Sequence, residues 1–178
     1  MDFLMIIVLL AGLLILGIWL FIARQGDAQF QFMVDQHTGF TVTERTAEAV
    51  TLAANVPFLN IGTQDGTIMD AYTRHLLPYE QYDAVEVNSR LELESAPRTD
   101  GYFEAFIVPK STGKSVVVTV KFTAKSGTIE QALSQMVDMP VDIVYQIVAR
   151  GPWYIDKTRM TITAAEIAKA MAVRQEVE

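Results

Sequence analysis

Residues 3–23 read FLMIIVLLAGLLILGIWLFIA, without a charge or a proline. No other feature constrains the chain as strongly. In a helix rising about 1.5 Å per residue the run spans about 30 Å, the thickness of a bilayer's hydrocarbon core. Trp19 and Phe21 fall near one end of it, where aromatic rings prefer the lipid–water interface. The expectation is a transmembrane helix over 3–23, with the lipid bilayer as its partner. Gly12 and Gly17 are five residues apart. That is not the small-xxx-small spacing that brings two helices together, so dimerisation through this helix is not expected.

A cleaved signal peptide is the alternative. It needs a basic start, an apolar stretch of about 7–15 residues and a small-x-small cleavage site. Here the start is Met1-Asp2, the run is longer, and the tripeptide ending at Ala23 is a poor site. The tripeptide ending at Ala28 is a better one but lies late. The residues therefore favour an uncleaved anchor over an exported, released domain. Arg24 follows the run and Asp2 precedes it, which by the positive-inside rule leans the remainder towards the cytoplasm. Membrane-tethered β-domains are also a common extracytoplasmic design in bacteria, so the side rests on one arginine.

Beyond residue 23 the apolar share falls to about 45%, ordinary for one soluble domain. Expected boundaries are a short connector over 24–31, a domain over 32–173 and a frayed tail over 174–178. The chain has 14 basic and 21 acidic residues, for a net charge of -7. An acidic domain without a basic cluster repels phosphate backbones, so nucleic acid is not an expected partner. There is no cysteine, which removes disulfides, thiolate catalysis and Cys-based metal sites.

The domain is patterned for sheets. Residues 84–94 (AVEVNSRLELE) alternate strictly, with Val85, Val87, Ser89, Leu91 and Leu93 on one face. Residues 115–123 put Val116, Val118, Val120 and Phe122 on one face. Residues 141–149 do so with Val141, Ile143, Tyr145 and Ile147, and 153–162 reads as their partner strand. Residues 102–108 and 115–123 look like a hairpin joined through 109–114. Earlier candidates are 30–35, 40–44, 48–54, 57–61 and 67–73. Helical spacing appears over 128–138 and 164–175. Each opens on a capping box, Thr128 with Gln131 and Thr163 with Glu166, with Ile162 and Ile167 as a hydrophobic staple beside the second. One-sided strands need a facing sheet. The fold expected is mainly β, an antiparallel two-sheet sandwich of immunoglobulin-like general shape. It carries a short helix between late strands and a C-terminal helix. The comparison is architectural, because the Cys and Trp markers of immunoglobulin domains are absent.

No catalytic, cofactor-binding or metal site is assigned. A metal would require His37, His75, Asp35 and Asp70 to converge, and they read more simply as unrelated loop and surface residues. Phosphate loops, nucleophile elbows and zinc helices are absent from the sequence. A hydrolase or small-molecule binder remains an alternative, with Asp70, Arg74 and His75 as its candidates. Two aromatic segments stand out as interaction surface for an unidentified protein partner. One is the loop 76–83, with Tyr79, Glu80, Tyr82 and Asp83; the other is 151–154, with Trp153 and Tyr154. The expected role is non-enzymatic, structural or protein-binding, at a membrane surface.

Overall fold

The computed structural model describes residues 2–98, 100 and 102–173. The expected tail 174–178 lies outside them. Helix α1 (Asp2–Arg24) is one continuous helix whose large apolar side chains are exposed. It is long and apolar enough to cross a membrane. Gln25 N–H donates to the Ile22 carbonyl, and Gly26 then takes a positive φ of 66°. A left-handed residue just past the last turn is how many helices end, and it favours glycine there.

Two antiparallel sheets follow. The first contains β1 (Phe30–Phe32), β2 (Thr41–Arg45), β3 (Ala49–Asn60), β5 (Val85–Leu93) and β7 (Gly113–Ala124). Its order is β1-β3-β7-β5, with β2 also on β3. The second contains β4 (Gly66–His75), β6 (Phe106–Val108), β8 (Met139–Val148) and β9 (Tyr154–Ile162), in the order β6-β4-β8-β9. The core is the inner faces of both. The period-two residues of β5, β7 and β8 point inward as their alternation requires: Val85, Val87, Leu91 and Leu93; Val116, Val118, Val120 and Phe122; Val141, Ile143, Tyr145 and Ile147. This is the mainly β two-sheet sandwich that the patterning predicts.

Three local expectations differ from the structure. The segments 48–54 and 57–61 are one twelve-residue strand that runs through Pro57. The Pro57 carbonyl accepts from Met33 N–H, so its missing donor faces the same edge. That edge is the gap between the end of β1 and the start of β2, so the ladder loses nothing. Second, β6 and β7 are not a hairpin. Both edges of β7 are already taken, by β3 and β5. The link 109–112 therefore crosses to the other sheet, where β6 pairs with β4. Third, the helix expected over 128–138 is only α2 (Ile129–Leu133). Of its later apolar residues Met136 is buried in a turn and Val137 only partly, and Met139 just beyond already belongs to β8. Met139 precedes a proline, which disfavours helix there.

Both capping boxes are formed. Gln131 N–H donates to Thr128 Oγ1, and Glu166 N–H to Thr163 Oγ1 at 3.1 Å, while Glu166 Oε2 accepts from Thr163 N–H at 2.9 Å. The second opens α3 (Ala164–Val173), which packs Ile167 and Ala170 onto the sandwich. Strand registers give the sandwich two ends. The near end holds the start of β1, the β3–β4 and β8–β9 turns and the 109–112 link, all beside the foot of α1. The far end holds the loop 76–83, α2 and α3.

Candidate interaction surfaces

The joint between α1 and the sandwich is built from side chain–backbone hydrogen bonds. Asp27 places its carboxylate at a point where three N–H groups converge. Oδ1 accepts from Ala28 at 2.8 Å and Arg150 at 3.1 Å, and Oδ2 from Gly151 at 2.8 Å. Burial pushes the carboxyl's pKa up, but these donors and the Arg150 charge outweigh it and hold it below the usual range. The Gln25 carbonyl accepts from Thr63 Oγ1 at 2.6 Å and Gln64 Nε2 at 3.2 Å. Gly62 has no room for a Cβ, because the backbone of Asp27, Ala28 and Gln29 lies against it. Ala28 is already buried. Behind them Asn60, fully buried, ties both sheets. Its Oδ1 accepts from Gly62 N–H at 3.0 Å and Gln29 N–H at 3.3 Å, and its Nδ2 donates to Gln64 O at 2.9 Å and Val108 O at 3.0 Å. Nothing in the local sequence marks Asp27 or Asn60, because the partners that tie them across the domain, Arg150 and Gly151 for the first and Gln29 and Val108 for the second, are distant along the chain.

The 151–154 segment splits at the start of β9. Trp153 is 61% exposed. Tyr154 faces inward, where its hydroxyl donates to the Ala28 carbonyl at 3.2 Å and burial raises its pKa. The 76–83 loop splits likewise. Tyr82 is buried, with its hydroxyl donating to the Ala132 carbonyl at 2.6 Å, and burial raises its pKa. Tyr79 is exposed; its ring lies under Lys125 Nζ at 5.5 Å, and its hydroxyl is 3.5 Å from His75 Nε2. Lys125 is also ion-paired with Asp83, and Glu80 is exposed. Of the six aromatic and acidic residues singled out, Tyr79, Glu80, Asp83 and Trp153 face solvent. Tyr82 and Tyr154 hold the far and near ends together.

The far end carries a groove of about 230 Å³ between α2 and α3, floored by Leu133, Ile167 and Met171. Arg45 crosses it, with Nη2 donating to Glu130 Oε1 at 2.8 Å. A second, polar cleft of about 430 Å³ lies between β9, α3 and the turn at 34–37. There His37 Nδ1 accepts from Gly39 N–H at 3.1 Å, which leaves Nε2 to donate to Glu166 Oε1 at 3.3 Å.

His75 is elsewhere. It lies on the inward side of β4 with Ala71 and Thr73, where burial lowers its pKa, whereas Asp70 and Arg74 stand on the solvent side. A register shift between Ile68 and Asp70 sets this phase. The three candidate hydrolase residues therefore do not converge. Among the described residues, no three His, Asp or Glu side chains are grouped to hold a metal.

One buried charge sits on the second sheet. Asp142, 3% exposed, accepts from Arg159 Nε at 2.6 Å and Nη2 at 3.1 Å, with Lys157 Nζ at 3.7 Å. The Arg159 guanidinium holds its carboxyl below the usual range against the effect of burial. A carboxylate depressed in the folded state adds stability that is complete above its unfolded pKa of about 3.9. That stability is lost as pH falls through the lower folded value. The melting temperature should thus fall below about pH 4, and less steeply in Asp142→Asn. Parallel acid limbs in the two proteins would show that the pair adds nothing, a real prospect since Arg159 is half exposed.

No known family and no curated protein matches the chain. Some solved structures align with most of the chain at low scores. The GAE domain of yeast GGA1 is 9% identical, with 75% of this chain and 98% of that one covered and a TM-score of 0.37. The GAE domain of GGA2p from Saccharomyces cerevisiae is 5% identical, with 77% and 98% covered and a TM-score of 0.36. A protein from Archaeoglobus fulgidus is 10% identical, with 76% and 96% covered and a TM-score of 0.32. At such scores no partner or activity transfers from them to this chain.

Proposed function

We propose that the chain is a single-pass, membrane-anchored β-sandwich domain with a non-enzymatic role, structural or protein-binding, at the membrane surface. The observation that carries the reading is the joint at residues 25–28. If α1 were a signal peptide cleaved after Ala28, the mature domain would lose Asp27 and Gln25. It would leave the Arg150, Gly151 and Thr63 N–H groups without their acceptors. Segments removed after export are not expected to complete the fold of what remains. The exposed apolar surface of α1 agrees with lipid as its surroundings.

Alkaline extraction of membranes is expected to leave the chain in the pellet, with an intact mass that still includes residues 1–28. A mature start near Gln29 would overturn the anchor and favour the exported domain. On the strength of Arg24 the sandwich is placed in the cytoplasm; C-terminal reporter fusions active only outside it would reverse that. For the protein partner, the far end offers Tyr79 on its loop and the groove between α2 and α3.

A further inference from the structure

Nine large apolar side chains outside α1 are exposed among the described residues. Four of them, Ile61, Ile107, Val148 and Trp153, belong to the near end or the first outward-facing row of strand residues above it, and Ile155 stands in the next row. The register lines them up. Ile107 pairs with Thr67 and Thr67 with Val148, while Trp153 lies just beyond the last pair of β8 and β9. By contrast the outer face of β5 in the other sheet presents Glu86, Asn88, Arg90 and Glu92. Exposed apolar side chains gathered at one end in this way mark a contact surface.

The joint fixes what that surface faces. Gly151, hydrogen-bonded to Asp27, is two residues from Trp153, and Asp27 is three residues from the last residue of α1. Ile22 and Ala23 of the helix share a cleft of about 330 Å³ with Arg150 and Gly151. Trp153 therefore lies close to the end of α1, the region where tryptophan is favoured if α1 spans a bilayer.

The charges agree. At this end Asp27 and Asp65 direct their carboxylates to backbone N–H groups. Arg24 and Lys110 have no ion pair among the described residues. In a chain of net charge -7, Arg24 and Lys110, with Arg150 beside the Asp27 carboxylate, set three cations next to exposed apolar side chains and complement lipid phosphates.

We infer that the near end of the sandwich rests on the bilayer, with Trp153 and Ile61 set among the headgroups and Arg24, Lys110 and Arg150 against the phosphates. This rests on the anchor reading, and the test separates the two. The full chain is reconstituted in phosphatidylcholine–phosphatidylglycerol vesicles as Trp19→Phe, so that Trp153 alone fluoresces, and as Trp153→Phe, so that Trp19 reports the helix. Trp153 should be quenched several-fold more strongly by lipids labelled near the headgroup than by lipids labelled at the chain end. Acrylamide should reach it only weakly. Adding Lys110→Glu and Arg150→Glu should reduce that lipid quenching and leave Trp19 unchanged. Lipid-quenched Trp19 with Trp153 open to acrylamide would overturn the docking and keep the anchor. Trp19 untouched by lipid quenchers would overturn both. Trp153 shielded from both quenchers in a protein that runs as a dimer would assign this surface to a second copy instead.

Discussion

Phe58→Ala should destabilise the domain by about 4 kcal/mol, the middle of the range for core phenylalanines. Phe58, 1% exposed, sits in β3 where the sheets meet. Its ring stacks on Phe32 at 5.0 Å between centroids and tilts against Phe106 of the opposite sheet at 5.8 Å. Phe32 in turn contacts Tyr145 of β8 at 4.6 Å. Removing the ring loses its transfer free energy, about 2–3 kcal/mol. The aromatic contacts add about 0.5–1.5 kcal/mol, and the neighbouring rings are too rigid to close the gap. Urea unfolding of the full chain in nanodiscs, followed by near-ultraviolet dichroism, measures this. A loss below about 1.5 kcal/mol would mean that the rings repack and that this aromatic layer is not what joins the sheets.

Asn60→Leu keeps the branched shape and the number of side-chain heavy atoms but adds apolar bulk, and should cost about 3 kcal/mol. The change removes no packing to speak of. It orphans the Gly62 and Gln29 N–H groups and the Gln64 and Val108 carbonyls, all served now by one amide. A buried orphan costs about 1–3 kcal/mol; only the bond to Val108 is fully buried, so the total stays well below four times that. Hydrogen exchange locates the damage. Protection should fall in 60–66 and 108–112, while the amides of β5 and β9 stay protected. Uniform loss across the sandwich would instead make Asn60 part of the global core.

Both of these residues were out of reach of the sequence, for different reasons. Phe58 is visible as an apolar residue, but its segment looks like two strands because Pro57 interrupts it. What rescues that proline is a gap between β1 and β2, which only the assembled edge reveals. Asn60 looks like an ordinary turn residue, and its partner Val108 is 48 positions away. The same limit explains the misplaced hairpin. Alternation says which face of β6 and β7 is buried, but not that β3 and β5 already hold both edges of β7. The strands 84–94 and 141–149 were legible because one-sided burial writes itself into period two. The exposed aromatics were half legible. Composition picks out Tyr79, Tyr82, Trp153 and Tyr154 as a set, while only packing separates the two that point outward from the two that lock the ends.

The bonded joint at 25–28 also couples the domain's compass bearing to the helix. With Gly26 fixed at a positive φ and Ala28 already buried, α1 and the sandwich turn together. One residue inserted into α1 would swing the domain by about 100° about the helix axis and raise it by only about 1.5 Å. The far-end groove would then look in a new direction at almost the same height. The apolar segment thus acts as a pointer as well as a tether, and a neighbour in the membrane meets this domain from the side that the helix dictates.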